Sequence, residues 1–146
     1  MKTQINCILI IAIFLLNSCS EQHKKTNQDM FMKFEEFRNK DKFIPDDNLF
    51  YPGIAYPELK PILSKKINLA ADDFEKLAAK GATNKEYQQA IKEGLMRFSD
   101  IYIELDTEDR DRVCSYFEEL MDIVGLESSG GYLNKFAYGF DFLIAH

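Results

Sequence analysis

The chain has 146 residues, 24 of them acidic and 18 basic, for a net charge of −6. This length suits one domain, and the negative balance repels phosphate backbones and anionic headgroups, which sets nucleic acid aside as a partner. Its 12 Phe and 7 Tyr supply ample apolar volume for a core without any Trp.

Met1-Lys2-Thr3-Gln4 opens the chain with one positive charge, and an uninterrupted apolar run follows from Cys7 to Leu16. A membrane-spanning helix needs roughly 20 apolar residues, whereas a secretory core needs about 7–15. The run is of the shorter kind and ends abruptly in the polar block from Ser20 to Asp29, as a signal peptide does. Leu16-Asn17-Ser18-Cys19 then resembles a bacterial lipoprotein processing site, with Leu16, Ser18 and Cys19 matching and Asn17 departing from the usual small residue. That resemblance implies a diacylglycerol on the Cys19 sulfur, cleavage before Cys19, and anchoring at the cell envelope. Two or more acyl chains hold a protein stably, at about 0.8 kcal/mol per buried CH₂. Ser20 supplies no acidic retention cue, so the outer membrane is favoured over the inner. Residues 1–18 are thus assigned as signal peptide, 19–29 as a flexible polar tether, and 30–146 as a single domain.

Met30, Phe31, Phe34 and Phe37 recur at helical spacing and predict a short helix over Asp29–Asn39. Lys40 to Tyr56 breaks that periodicity, with Pro45, Pro52 and Gly53 as punctuation and Asp46-Asp47-Asn48 as a turn. This stretch is expected to be irregular and pinned by Phe43, Ile44, Phe50 and Tyr51. Pro57 and Pro61 suit the first turn of a helix. Ile62, Leu63, Ile67, Ala70, Phe74, Leu77 and Ala78 trace its buried face, with a bend or fresh start open near Asn68–Asp72 and Gly81 as the stop. Thr83 and Glu86 form a capping box for the next helix, whose apolar face runs from Tyr87 through Ile91, Leu95 and Phe98 to Tyr102, toward Glu104.

Asp106 caps a third long helix with core stripe Val113, Tyr116, Phe117, Leu120, Met121 and Val124, closed by Gly125-Leu126. A last short helix is expected over Tyr132–Gly139, with Leu133, Phe136 and Ala137 facing inward. Phe140-Asp141-Phe142-Leu143-Ile144 is left as a strand or a packed extended end. Short connections between long helices imply antiparallel neighbours. The fold class is all-α: a small bundle of three long and about two short helices, with an irregular N-terminal segment.

The chemistry-bearing residues are sparse. His23 lies in the tether and His146 at the end of the chain, so neither is placed as a general base. With Cys7 removed and Cys19 alkylated, Cys114 stands alone at the edge of a core stripe and is expected to be a buried, inert thiol. Asp106-Thr107-Glu108-Asp109-Arg110-Asp111-Arg112 offers clustered carboxylates but lacks the glycine and distal Glu of an EF-hand loop, so helix capping plus a solvated face explains it better. No metal, cofactor or catalytic residue is assigned.

Glu104, Asp106, Glu118, Glu119 and Asp122 are the acids available should a carboxylate pair form. Phe43, Phe50, Tyr51 and Tyr56 in irregular chain, and Tyr132, Phe136, Tyr138, Phe140 and Phe142 near the end, are expected to plug the bundle rather than form a ligand platform. Gly94, inside a helix, points to close helix–helix approach.

The stretch from Asp106-Thr107-Glu108-Asp109-Arg110 through Val113-Cys114 to Phe117-Glu118-Glu119-Leu120-Met121-Asp122-Ile123-Val124-Gly125 resembles a bacterial family named domain of unknown function 4844. The matching positions are helix core and caps, and the resemblance carries no activity. Two function classes follow. The favoured one is an envelope lipoprotein that binds a protein partner, for example a protective protein neutralising a secreted toxin. The alternative is a glycan or peptidoglycan hydrolase working through carboxylates.

Overall fold

The computed structural model describes residues 28–139. The signal segment, Cys19 and the tether to residue 27 lie outside the described residues, as does the tail from Phe140 onward. The described residues from Phe34 onward belong to one compact unit, which holds the bundle. The first helix, α1, is described over 28–39, and its Phe34 and Phe37 are buried.

A single 3-10 turn over Pro57–Leu59 leads into α2, Lys60–Ala79, with Pro61 in its first turn. Leu63, Ile67, Ala70, Ala71 and Phe74 form its buried face. The helix runs unbroken through Asn68–Asp72, where the sequence left a bend open. Ala70 and Ala71 are strong helix formers, and the two following acids reach outward to arginines instead of capping a new helix. Asp72 meets Arg38 at 3.3 Å and Asp73 meets Arg97 at 2.5 Å. After α2 the chain turns through Gly81 at φ +68°, with Ala82 N–H bonded back to the Leu77 carbonyl.

Helix α3, Asn84–Met96, starts on the expected capping box: the Thr83 hydroxyl accepts from Glu86 N–H, and the Glu86 carboxylate accepts from Thr83 N–H at 2.8 Å. It stops well short of Glu104. The Lys66 ammonium, reaching over from α2, claims the Arg97 carbonyl at 2.5 Å and the Asp100 carboxylate at 2.9 Å. The chain then tightens into three-residue bonds and a 3-10 turn at Tyr102–Glu104. Phe98, Ile101, Tyr102 and Leu105 stay buried in this tighter path, so a helical apolar spacing survived without a helix.

Helix α4, Thr107–Val124, is capped by Asp106, whose carboxylate accepts from Asp109 N–H at 2.7 Å. Gly125, at φ +70°, and the bond from Leu126 N–H to the Met121 carbonyl close it as a Schellman ending. Helix α5, Tyr132–Tyr138, buries Leu133 and Phe136, while Ala137 is half-buried.

Among the described residues, α2 packs against both α3 and α4, and α5 packs against α3 and α4. There is no strand among them, only an isolated antiparallel bridge between Asp46 and Tyr51. The architecture is the small all-α bundle that the patterning predicts. Gly94 lies at a close approach of helices: a Cβ there would lie 2.8 Å from the Phe117 ring of α4 and 3.6 Å from the Ala70 Cβ of α2.

Intrinsic helix propensity favours Ala over Gly by about 1 kcal/mol, but overpacking a filled core costs about 1–3 kcal/mol. Gly94→Ala is therefore expected to destabilise the protein, and urea unfolding checks it. A stabilised variant would show that Phe117 can yield.

Candidate functional site

Three consecutive turns of α4 hold the irregular 40–56 segment in place. Asp109, Arg112 and Tyr116 recur at spacings of three and four on one helix face, and all three are buried. The Tyr116 hydroxyl accepts the Phe43 N–H at 2.7 Å, and the Tyr51 hydroxyl donates to the Asp109 carboxylate at 2.7 Å. Arg112 reaches Asp46 at 3.3 Å and stacks over the Tyr116 and Tyr51 rings at 4.6 and 5.5 Å. Burial, then the bond to Asp109, pushes the Tyr51 phenol well above its ordinary range. Burial also raises the Asp109 carboxyl above its ordinary value, against the opposing bond from Tyr51.

Lys42 secures the upstream end. Its side chain is buried, and its ammonium donates to the carbonyls of Phe37, Arg38 and Lys40 at 2.7, 3.2 and 3.2 Å. It thereby satisfies the open C-terminal end of α1. Burial first, and Lys40 second, push this ammonium down to about 8. Lys40 itself pairs with Glu119 of α4.

Between these anchors, Asp46 and Tyr51 exchange backbone bonds at 2.9 and 3.0 Å and close a small loop over the 3-10 turn Asp47–Leu49. Two residues other than glycine take a left-handed backbone in the described chain, Phe43 at φ +56° and Phe50 at φ +52°. A bulky residue in this region stores strain of order 1–3 kcal/mol. At Phe43 the strain is offset, since the side chain is buried and its N–H meets Tyr116. At Phe50 the left-handed backbone caps the 3-10 turn, its N–H donating to the Asp47 carbonyl at 3.3 Å, but the side chain is 91% exposed, although burying a Phe is worth about 1.5–3 kcal/mol. Leu49 beside it is half exposed. Together they form a knuckle bordering a hollow of about 120 Å³, which Glu108, Asp111 and Ser115 of α4 also line.

The expected solvated face at Asp106–Arg112 needs correction. Asp106 caps the helix as expected, but Asp109 and Arg112 point inward because the 40–56 segment covers them. Arg110 also turns back, donating to the Leu105 carbonyl at 3.0 Å. The aromatic expectation holds for Phe43, Tyr51 and Phe136, which are buried, and fails for Phe50, Tyr56 and Tyr138, which are exposed.

Of the acids considered for hydrolysis, Asp106 is a cap, Glu119 pairs with Lys40, Glu104 and Asp122 are exposed, and Glu118 borders a hollow with Asp111, Cys114 and Tyr138. Cys114 is buried, its thiol lies 3.5 Å from the Leu133 carbonyl, and desolvation raises it to about 12. No group of His, Cys, Asp and Glu among the described residues could hold a metal ion. His23, His146 and Cys19 lie outside the described residues.

Sequence reasoning missed the roles of Lys42, Asp109 and Arg112. The one available signal was the helical spacing of Asp109, Arg112 and Tyr116, which continues the apolar stripe with polar residues.

The chain belongs to the family described as Domain of unknown function (DUF4844), whose model matches residues 21–141. It is also similar to the crystal structure of a DUF3571 family protein from Acinetobacter baumannii AYE, at 36% identity and a TM-score of 0.70. That match covers 79% of this chain and 93% of the other. No curated protein matches the chain.

Two measurements check this geometry. The native Asp109 carboxyl keeps its proton to a higher pH than the unfolded one, whose ordinary value is 3.8. Above that pH the native state binds more protons, so this group's contribution to stability declines as pH rises. Asp109→Asn should therefore compare progressively better with the parent as pH rises from 3 to 7, in denaturant melts at each pH. A constant difference would show the carboxyl to be unperturbed. For Cys114, a thiol probe should react slowly in the native protein and rapidly in denaturant, and equal rates would contradict its burial.

Proposed function

We propose that this protein is a membrane-anchored bacterial envelope lipoprotein that acts by binding a protein partner, an immunity-type or protective role being one form this could take. The observation that carries the reading is the use made of the buried polar groups. Tyr51, Asp109, Arg112, Tyr116 and Lys42 all serve to hold one irregular segment in a single shape. A loop fixed in advance loses little freedom on association, which is how preorganised binding surfaces gain affinity. The anchor in this reading is the lipid on Cys19, with the outer membrane favoured, and the pattern Leu16–Cys19 supports it.

The test is crosslinking affinity purification of the tagged, lipidated protein from its native envelope, with Cys19→Ala as control. A stoichiometric protein partner recovered with the parent chain, together with an unprocessed, unacylated Cys19→Ala precursor by mass and acyl labelling, is the expected result. Glycan recovered in place of protein would turn the reading to hydrolysis or glycan binding. A Cys19→Ala chain that is still shortened and lipidated would refute the anchor.

A further inference from the structure

We propose that the Leu49–Phe50 knuckle is the docking surface, and that it inserts into an apolar pocket rimmed by lysine or arginine on the partner protein. This rests on the binding reading above and adds the surface and the chemistry of the partner.

The shape of the loop displays Phe50. Its backbone is left-handed at φ +52° and its side chain is 91% exposed. The backbone closes the Asp47–Leu49 turn through the Phe50 N–H, and that turn, in a loop pinned by buried groups, holds the ring out in solvent. Aromatic residues are also enriched at the cores of protein interfaces, because a ring offers large contact area at low entropy cost.

Charge selects among the occupants. Asp47 lies on the turn, and Glu108 and Asp111 border the hollow beside Phe50, where the lining cation, Arg112, is already engaged by Asp46. None of Asp47, Glu108 and Asp111 has an ion-pair partner among the described residues, whereas Asp72, Asp73, Glu75, Asp100 and Glu119 are each matched by a lysine or arginine of this chain. An acidic rim repels the anionic headgroups of a bilayer, so the exposed ring is not a membrane foot. A second copy would bring the same acidic rim against this one in a two-fold contact. A basic-rimmed protein pocket satisfies both the ring and the carboxylates, and steers the encounter as well.

The experiment places a benzophenone photocrosslinker at position 50 of the full lipidated chain in its native envelope, with the same group at Gln89 on α3 as control. Phe50→Ala, Phe50→Gly and the double reversal Glu108→Lys/Asp111→Lys are purified alongside. One protein adduct at position 50 and none at 89 is expected. Recovery of that partner should fall on the order of tenfold or more with Phe50→Ala and with the charge reversal. Phe50→Gly should lose the partner as well while melting no lower than the parent chain, because glycine relieves the left-handed backbone. That separates docking from a structural role. Undiminished recovery by Phe50→Ala would overturn the proposal while leaving partner binding intact. So would an adduct with phospholipid or with a second copy of the chain. The absence of any protein partner from the parent chain would overturn both readings together.

Discussion

The interior face of α4 that carries Asp109, Arg112 and Tyr116 is the constraint on which the arrangement of the compact unit turns. A helix in a small bundle normally buries a purely apolar stripe, and the C-terminal half of α4 does so through Phe117, Leu120 and Met121. Its first three turns instead meet an irregular segment whose backbone needs hydrogen-bond partners that no strand or helix provides. The phenol of Tyr116 meets that need at the Phe43 N–H, while the carboxylate of Asp109 and the guanidinium of Arg112 hold the segment by its Tyr51 and Asp46 side chains. Each buried polar group would be costly unpaired, so the seam is stable only when its members are in place together.

The same logic explains the ends of the seam. Lys42 is a charged residue with its ammonium buried, a placement that proteins tolerate only with compensation. The compensation here is three carbonyls at and beyond the end of α1, whose partial negative charge suits an ammonium. Arg38, one turn earlier, points the other way and ties α1 to Glu75 and Asp72 of α2. The entry to the domain is thereby fastened to two helices through side chains that a composition count would assign to solvent. What the seam leaves outside is Phe50, held in a shape its own backbone does not favour.

Helix existence was legible in the sequence because it depends on local terms. Spacing of apolar residues placed α2, α3, α4 and α5, and the signals at Thr83–Glu86, Asp106 and Gly125 placed boundaries to the residue. Gly94 was legible as a close approach, since glycine weakens a helix interior and is kept there when a neighbouring helix leaves no room for a side chain. Spacing alone misjudged the end of α3, because residues 98–105 are buried with helical periodicity on a tighter path. At the stop the Arg97 carbonyl is taken by Lys66, thirty-one residues away in sequence.

The all-α class, the caps and the apolar faces are properties of the amino-acid order alone, because they follow from interactions within a few residues of each other. That order also carries the pattern at Leu16–Cys19 on which the proposed anchor rests. Tertiary packing, by contrast, is what turns Asp109, Arg112 and Lys42 inward and leaves Phe50 outside. For Lys42 and Phe50 in irregular chain, and for the charged residues of α4 that face it, burial depends on which distant element covers them. That is a long-range term, and the spacing of Asp109, Arg112 and Tyr116 is its one local trace.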